Sequence, residues 1–374
     1  MEFSFWYLLA IFQVVWGIYA CRWVYRLFHG DLDYILKEDE EYAKQFTAFR
    51  RNDILNWNKF ELVFGAVFLL PYRFVFSMLS LVVCGILCGV LTIGQDLKKE
   101  IPAWRKFLIR GVTQSLPRLM LYLFGIYRIE RKYHKITDYD PTYPKEFLDR
   151  KPPTTVPIAV SNHISFLDIF YFMLCRHYPC FLAMKEVASW PIVGWIATVR
   201  QAVFVNREDR TAKDAVIEVI KTRVRDIQSG RKFPPMIIFP EGTTSNGQAV
   251  MVFKKGAFMS LSPVRIFAIE YPRKQFSPAY DNMNVFVTFC VMLCHFYHRI
   301  KIHDIGVFYP DHLNIKENDE HGWEIYAQKV RSIIAKCLDV PTVELSYKER
   351  MEYYKYSLAL KSQLKKERSK KKDQ

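Results

Sequence analysis

Two long apolar runs near the start of the chain restrict its architecture more than any other feature. Residues 3–21 carry no charge, which is close to the length that a helix needs to cross the hydrocarbon core of a bilayer. A secretory signal peptide is the alternative for this run. The only early charge is Glu2, no small-x-small cleavage site follows, and Arg22 and Arg26 flank the far end. We therefore expect residues 1–26 to form a transmembrane anchor whose C-terminal side faces the cytosol.

The second apolar run covers residues 62–94 and is interrupted at Pro71. Both of its flanks are basic, and a single crossing would place those flanks on opposite sides of the membrane. A re-entrant hairpin bent at Pro71 keeps both flanks in the cytosol, and a single span is the alternative. Gly85 and Gly89 form a G-x-x-x-G pair that would allow close helix packing within this segment. We assign residues 62–104 to a membrane hairpin or span.

The rest of the chain divides into three parts. Residues 27–61 are predicted to be a charged cytosolic linker and residues 346–374 a basic tail, whose residues 361–374 would be solvated and mobile or touch anionic headgroups. Residues 105–345 begin with an apolar helix over 115–129 and then alternate short strands and helices, which predicts an α/β domain with a central mixed sheet flanked by helices. Strands are predicted over residues 156–160, 181–184, 202–205, 236–239, 264–269 and 302–308, and helices over 164–174, 211–228, 284–300 and 323–338.

The net charge and the cysteines narrow the range of partners. A formal charge of +15 suits a nucleic acid, an anionic membrane surface or a phosphorylated substrate. The apolar segments favour the lipid bilayer, and the lysines and arginines form no aromatic-interleaved patch of a nucleic-acid-binding type. No C-x-x-C pair stands with a second cysteine or histidine cluster at zinc spacing, so we interpret the eight cysteines as reduced. We expect no structural metal and no nucleic-acid partner.

The first motif with catalytic potential is Asn162-His163-x-Ser165-x-x-Asp168, which follows a predicted strand and opens a predicted helix. Acyl transfer to an alcohol needs a base, and the ordinary pKa of histidine suits that task near neutral pH. A carboxylate that holds one ring nitrogen would orient the base. Side chains five residues apart on one helix point about 140° apart, so His163 must precede the helix, with Ser165 as N-cap and Asp168 in the first turn. A capping box made by Ser165 and Asp168 alone fits the same spacing.

Two further motifs lie at the ends of predicted strands, where α/β sheets place their ligand sites. The run Phe239-Pro240-Glu241-Gly242-Thr243 combines hydroxyl donors with a glycine that lets the backbone approach a ligand, and Lys254 follows with positive charge. Phe204 lies in the strand predicted over 202–205, and the guanidinium of Arg207 just beyond it suits a phosphate. Taken alone, the run from Phe239 to Thr243 also fits an ordinary polar turn, and Arg207 also fits an ordinary surface arginine.

In this order, the three motifs resemble those of the glycerolipid acyltransferase family, which includes the lysophosphatidic-acid and lysophosphatidylcholine acyltransferases. That family carries N-H-x-S-x-x-D, then G-x-x-F-x-x-R, then F-P-E-G-T, and the resemblance covers about residues 110–310. The first and third motifs are complete in this chain. Gln201 stands where the second motif has glycine, and Ile266 stands where a fourth block, an apolar strand, opens with proline.

The resemblance implies a membrane-bound enzyme that transfers a fatty acyl group from acyl-CoA to the free hydroxyl of a lysophospholipid. His163 would be the general base and Asp168 its orienting partner. Arg207 would hold the phosphate of the acceptor, and Glu241 and Gly242 would shape the acceptor site together with the next residue, Thr243. Supporting residues would be Asn162, Ser165, Phe204, Pro240 and Lys254. The resemblance implies no metal and no cofactor besides the co-substrate acyl-CoA.

Several alternatives stay open on the sequence alone. The acceptor could be glycerol 3-phosphate, and the chain could be a non-catalytic subunit of a membrane complex. A serine hydrolase would want a G-x-S-x-G nucleophile elbow, and the sequence has none. The last residues, Lys371-Lys372-Asp373-Gln374, resemble a dilysine retrieval signal. They predict an endoplasmic reticulum membrane with the catalytic domain in the cytosol, with another intracellular membrane, including the mitochondrial one, as the alternative.

Overall fold

The computed structural model describes residues 2–97, 99–150, 153, 155–175, 179–205, 210–272, 276–280, 282–316 and 319–372. Its helices are α1 (Glu2–Arg26), α2 (Asp33–Leu36), α3 (Glu40–Lys44), α4 (Lys59–Phe68), α5 (Leu70–Thr92), α6 (Ala103–Leu123), α7 (Lys145–Asp149), α8 (Leu167–Leu174), α9 (Val193–Val199), α10 (Arg210–Gln228), α11 (Val285–Cys294), α12 (Gly322–Leu338) and α13 (Tyr347–Lys372). Its strands are β1 (Ile129–Tyr133), β2 (Ile158–Val160), β3 (Cys180–Met184), β4 (Val203–Val205), β5 (Met236–Ile238), β6 (Val264–Glu270) and β7 (Ile300–Phe308).

The strands of the described residues form one seven-stranded sheet in the order β1-β7-β6-β2-β5-β3-β4. Neighbouring strands are parallel except β6 and β7, which are antiparallel. The predicted central mixed sheet is therefore confirmed. Every residue of the short central strands β2 and β5 is buried, as expected for parallel strands that are covered on both faces. Because β2, β5, β3 and β4 run in the same direction, the loops that follow them meet at one edge of the sheet.

Helices cover both faces of the sheet, and the residues of β2 alternate between the two cores. Ala159 points to the core that includes Phe172 of α8, whereas Ile158 points to the core that includes Ile220 of α10 and Ile334 of α12. This alternation follows from the two-residue period of a strand. The α/β domain is thus a three-layer structure whose central strands are inaccessible except at their ends.

Every strand and helix predicted from β2 onwards has a counterpart in the structure, but the helix predicted over 284–300 ends at Cys294 and β7 begins at Ile300. The prediction around α6 was also wrong. A helix was expected over 115–129, whereas α6 ends at Leu123 and β1 begins at Ile129. Gly125 ends the helix with φ +77°, and the backbone N–H of Ile126 donates to the carbonyl of Leu121 at 2.8 Å, which is a Schellman motif. β1 is a charged, largely exposed edge strand and therefore shows no apolar alternation in the sequence.

Within the described residues, two helical segments are long and apolar enough to cross a membrane, namely Trp6–Asp31 and α5. Most large apolar side chains of α1 are exposed, which water would disfavour and lipid would not. Residue 71 does not reverse the chain as the predicted hairpin required. Only Leu69 separates α4 from α5, and its φ of −101° and ψ of −43° are helical. The reversal lies between α5 and α6, where the Ser80 hydroxyl donates to the carbonyl of Leu116 at 3.4 Å.

The predicted G-x-x-x-G pair does allow a close approach, but its partner is different. A Cβ atom added to Gly85 would lie 2.7 Å from Ile192, and one added to Gly89 would lie 2.3 Å from Trp195. Trp195 belongs to α9, so α5 packs on the α/β domain itself. Side chains of the α/β domain therefore pack directly on the backbone of the second candidate membrane span.

The segments predicted as a linker and a mobile tail pack on the α/β domain instead. The Asn246 side chain donates to the carbonyls of Thr47 and Arg50 at 2.6 and 2.7 Å, which ties the segment over 27–61 to the third motif. Helix α13 covers most of the predicted basic tail, and in the part predicted to be mobile the Arg368 guanidinium donates to the carbonyl of Gly30 at 3.0 Å. Its Tyr353 is buried in a core with Phe49, since the periodic aromatic residues of this helix outweigh its high charge.

A glycine in α4 gives a sharp test of the packing between α4 and α11. A Cβ atom added to Gly65 would lie 1.7 Å from the carbonyl oxygen of Cys294, whereas one added to Gly111 in α6 meets nothing within 4 Å. We expect Gly65→Ala to lower the free energy of unfolding by about 1–3 kcal/mol. The matched change Gly111→Ala should raise it by about 0.5–1 kcal/mol. Thermal unfolding of the detergent-solubilised protein measures both, and equal melting temperatures would contradict this packing.

Candidate active site

The first predicted motif forms a histidine–carboxylate pair at the C-terminal edge of the sheet. His163 lies in the loop between β2 and α8, and Asp168 lies in the first turn of α8, as the spacing required. The Nδ1 atom of His163 lies 2.8 Å from Oδ2 of Asp168. Because a carboxylate can only accept, Nδ1 carries the proton, and Nε2 keeps the lone pair that a base needs. The His163 side chain is 16% exposed and that of Asp168 is fully buried, so the imidazole is reachable and the carboxylate is not.

Asp168 is also a cap, so the two alternatives for this motif are combined in one side chain. Its Oδ2 atom accepts the backbone N–H groups of Ile164 and Ser165 at 2.7 and 2.9 Å. Helix α8 begins at Leu167 rather than at residue 164, and its N-cap is Phe166 rather than the predicted Ser165. The hydroxyl of Ser165 instead accepts from the backbone N–H of Leu167 at 3.4 Å. The two backbone bonds to Oδ2 hold the carboxylate in place independently of its contact with the imidazole.

Tyr271 completes this group, and the sequence analysis did not identify it. Its hydroxyl donates to Oδ1 of Asp168 at 2.6 Å. Burial, and then the charge of Asp168, raise the pKa of Tyr271 well above its ordinary value, so the hydroxyl stays a neutral donor. The only signal in the sequence is its position just after β6. Both oxygens of Asp168 therefore accept hydrogen bonds, which fixes the carboxylate that orients the imidazole of His163.

The third predicted motif lies directly against the first. The ring of Phe239 stacks on that of His163 with a centroid distance of 4.0 Å. The carboxylate of Glu241 accepts from the backbone N–H of His163 at 3.1 Å and from that of Met251 at 3.2 Å. The backbone N–H of Ser245 donates to the carbonyl of His163 at 2.9 Å. Two motifs about 80 residues apart are thus joined around one histidine.

Glu241 is a positioning group in this arrangement, because its carboxylate faces backbone N–H groups and is buried. Burial raises the pKa of Glu241 to about 8, while the N–H groups of His163 and Met251 act against this increase. The Glu241 carboxylate therefore holds the His163 loop in place. Among the described residues, its hydrogen bonds go to backbone N–H groups and not to the ring of His163.

The turn after Glu241 brings a lysine close to the backbone. Gly242 has φ +70°, and a Cβ atom there would lie 2.5 Å from Nζ of Lys254. The backbone N–H of Lys254 donates to the carbonyl of Pro240 at 2.8 Å. Glycine therefore serves both the turn and the close approach of the lysine. Thr243 accepts a hydrogen bond from the guanidinium of Arg350 in α13, a contact that the sequence did not predict.

The other predicted residues take supporting or peripheral places. The side chain of Asn162 exchanges two hydrogen bonds with the backbone of Ile269, at 3.0 and 2.8 Å, and so joins the first motif to β6. Phe204 is half-buried in β4, opposite Ala183. Arg207 lies outside the described residues. β4 ends at Val205, on the same edge of the sheet as β2 and β5.

The two departures from the family pattern have backbone explanations. Gln201 has φ +57°, a conformation that favours glycine, and its side chain donates to the carbonyls of Leu97 and Lys99 at 3.1 and 2.8 Å. Ile266 lies at a β-bulge in β6, which is one of the few places in a sheet that tolerates proline. Both positions therefore concern the backbone rather than the chemistry of the site.

Comparisons with known proteins agree with this geometry. An acyltransferase family model matches residues 145–269, which include both the histidine motif and Glu241. The lysophospholipid acyltransferase LPEAT1 of Arabidopsis thaliana is 27% identical over 84% of this chain and 87% of its own length. The lysophosphatidylcholine acyltransferase of Drosophila melanogaster is 30% identical over 76% of this chain and 50% of its own. The chain belongs to the glycerolipid acyltransferase family.

The share of a relative's length that this chain covers differs from one relative to another. This glycerolipid acyltransferase spans most of LPEAT1 but about half the length of the Drosophila relative. Among solved structures, the 1-acyl-sn-glycerophosphate acyltransferase PlsC from Thermotoga maritima is 18% identical, covers 72% of this chain and 94% of its own, and has a TM-score of 0.46.

Proposed function

We propose that the protein transfers a fatty acyl group from acyl-CoA to the free hydroxyl of a lysophospholipid in phospholipid synthesis or remodelling. The observation that carries this proposal is the 2.8 Å contact between His163 and Asp168, with Phe239 and Glu241 packed against the same histidine. Relatives named as lysophospholipid and lysophosphatidylcholine acyltransferases support the choice of acceptor. Acyl-CoA is a co-substrate, and the reaction that we propose uses no cofactor and no metal.

The reaction follows from the roles of the two nitrogens of one imidazole. Nε2 of His163 removes the proton from the acceptor hydroxyl while its oxygen attacks the thioester carbonyl. The resulting imidazolium is stabilised by the carboxylate of Asp168 at Nδ1. When the tetrahedral intermediate collapses, the C–S bond breaks and the imidazolium returns the proton to the leaving sulfur. The products are the acylated lipid and free CoA, and the enzyme is restored without a covalent intermediate.

Basic side chains on two sides of the glycine turn suit the phosphate of the acceptor. Lys254 packs over Gly242, and Arg350 reaches Thr243 from α13. The guanidinium of Arg350 also lies 6.0 Å from the ring of Tyr280, which in turn lies 6.3 Å from the ring of Phe166 beside the histidine motif. Arg350 thus contacts the third motif directly and the first motif through the ring of Tyr280. We propose that it acts with Arg207 and Lys254 in binding the acceptor phosphate.

The membrane arrangement that we propose places the active site at the cytosolic face of the endoplasmic reticulum. Arg22 and Arg26 after the first apolar segment and the terminal Lys371-Lys372 pair support it. Helix α5 packs on α9, which holds the α/β domain close to the bilayer. Protease protection and glycosylation mapping test the orientation, and residues 120–345 in the lumen would contradict it.

The test of the function is acyl transfer by the full-length protein in nanodiscs. Labelled acyl-CoA is offered with lysophosphatidic acid, lysophosphatidylcholine, lysophosphatidylethanolamine and glycerol 3-phosphate in turn. Product from a lysophospholipid is the expected result. Product from glycerol 3-phosphate alone would assign the alternative acceptor. Absence of product from every acceptor would favour a non-catalytic subunit with this fold.

The variant Arg350→Gln tests whether Arg350 binds the acceptor lipid rather than acyl-CoA. Loss of the guanidinium removes a charged hydrogen-bond donor from the acceptor side, so the KM for the lysophospholipid should rise about tenfold, while kcat and the KM for acyl-CoA stay near wild type. Lys355→Gln on an exposed part of α13 is the matched control and should change neither constant. Steady-state kinetics with each substrate varied in turn give the answer. Equal increases in both KM values would show that α13 matters only for folding.

A further inference from the structure

A second cluster of side chains lies away from the active site, where β1 and β7 meet the end of α12. It consists of His134 directly after β1, His303 within β7, and Cys337 at the end of α12. One ligand atom from each residue lies within 4.8 Å of the other two. The Nε2 atom of His134 and the Nδ1 atom of His303 are 3.0 Å apart. We propose that these three side chains bind a zinc ion that joins the β1 edge of the sheet to α12.

The spacing of the three atoms suits a tetrahedral ion. Zinc binds nitrogen at about 2.0–2.1 Å and sulfur at about 2.3 Å, so neighbouring ligand atoms in a tetrahedron are about 3.3–3.6 Å apart. The two nitrogens at 3.0 Å are slightly closer than this range, and the separations from the sulfur are at most 4.8 Å, so shifts of about an ångström or less would satisfy it. Two imidazoles and a thiolate are the donor set that favours zinc over calcium or magnesium.

The outer atoms of both imidazoles face partners of the kind that metal-bound histidines use. The Tyr139 hydroxyl lies 2.9 Å from Nδ1 of His134. The Glu270 carboxylate lies 3.5 Å from Nε2 of His303. Partners at the outer nitrogens fix the tautomers and leave His134 Nε2 and His303 Nδ1 directed at the same point. The carboxylate also supplies negative charge next to the proposed cation.

The position of Glu270 connects this cluster to the catalytic framework. Its chain neighbours are Ile269 in β6 and Tyr271 just after β6, which bond to Asn162 and Asp168 of the first motif. An ion bound by His303, whose ring also contacts Glu270, would therefore stabilise the end of β6 that Tyr271 follows. The role that we assign to the ion is structural, since no ligand of this cluster touches His163 among the described residues.

This inference departs from the expectation of no structural metal. The sequence shows no zinc spacing because the histidines are 169 positions apart and the cysteine is contributed by a third segment. Without an ion, Tyr139 and the two imidazoles would form a hydrogen-bonded chain, with the Glu270 carboxylate 3.5 Å from its last nitrogen. The test therefore has to distinguish a metal site from that chain.

The experiment is metal binding by the full-length protein, purified in detergent without a histidine tag. After dialysis against zinc and removal of unbound metal, elemental analysis should give about one zinc per chain for wild type and for the control Cys21→Ser. Cys337→Ser and His134→Gln should lose at least about tenfold in affinity, since one ligand is removed. Cobalt in place of zinc should give the near-ultraviolet thiolate band in wild type and not in Cys337→Ser. Zinc retained by both variants, or no bound zinc in wild type, would overturn the proposal.

A second measurement does not depend on the folding of the variants. Zinc that binds only the folded state must raise the melting temperature of the wild-type protein, and a chelator must lower it again. Because these steps need no acyl transfer, they test the zinc site separately from the proposed function. A melting temperature that is unchanged by zinc and by chelator would leave the hydrogen-bonded chain as the explanation.

Discussion

Alanine in place of His163 should lower the rate of acyl transfer by about 1,000-fold or more. The substitution removes Nε2, the only atom that we assign to proton removal, and general-base catalysis by a positioned side chain contributes about 100- to 10,000-fold. It also removes the positive charge that Asp168 would stabilise in the transition state. Substrate binding should change much less than kcat, because no binding role is assigned to the imidazole.

The measurement is acyl-CoA-dependent formation of labelled phospholipid at saturating substrate. His321→Ala is the matched control, because that histidine is 77% exposed and lies at the start of α12, in a segment that no motif occupies. The melting temperatures of both variants should stay close to wild type, since the His163 backbone contacts to Glu241 and Ser245 do not involve the ring. Wild-type rates from His163→Ala in a folded protein would refute the assignment of the base.

The first and third motifs could be predicted from the sequence because each is local. Five residues separate His163 from Asp168, and the required geometry follows from placing one before a helix and the other in its first turn. Likewise, strands β2 and β5 are short apolar runs, and motifs at their ends must meet once the strands are parallel neighbours. Local spacing and strand direction together therefore specify the centre of the site.

The residues that the sequence did not reveal are those that reach the site from distant segments. Tyr271 contacts Asp168 from 103 positions away, and Arg350 contacts Thr243 from 107 positions away. Neither residue belongs to a motif, since its partner is determined by how β6 and α13 pack. The prediction for the tail was wrong for the same reason. The charges of residues 361–374 indicated a solvated segment, whereas Tyr353 and Arg368 of the same helix contact Phe49 and Gly30.

Asparagine in place of Asp168 should be the second most damaging change, with kcat lowered by about 100- to 10,000-fold. The amide oxygen can take the position of Oδ2, where it still accepts from the backbone of Ile164 and Ser165. The amide nitrogen then faces Tyr271, whose hydroxyl can rotate and accept. The hydrogen bonds are thus largely kept while the negative charge is lost. An uncharged partner no longer stabilises the imidazolium that forms as His163 takes the proton.

This prediction separates the two roles that the structure combines in Asp168. If the carboxylate served only as a cap, the asparagine variant would keep most of its activity, because the cap bonds remain. If it stabilises the imidazolium, kcat falls while both KM values and the melting temperature change little. Asp311→Asn, at a largely exposed carboxylate, is the control for loss of one charge. Steady-state kinetics and thermal unfolding on the same preparations decide between a helix cap and a catalytic partner.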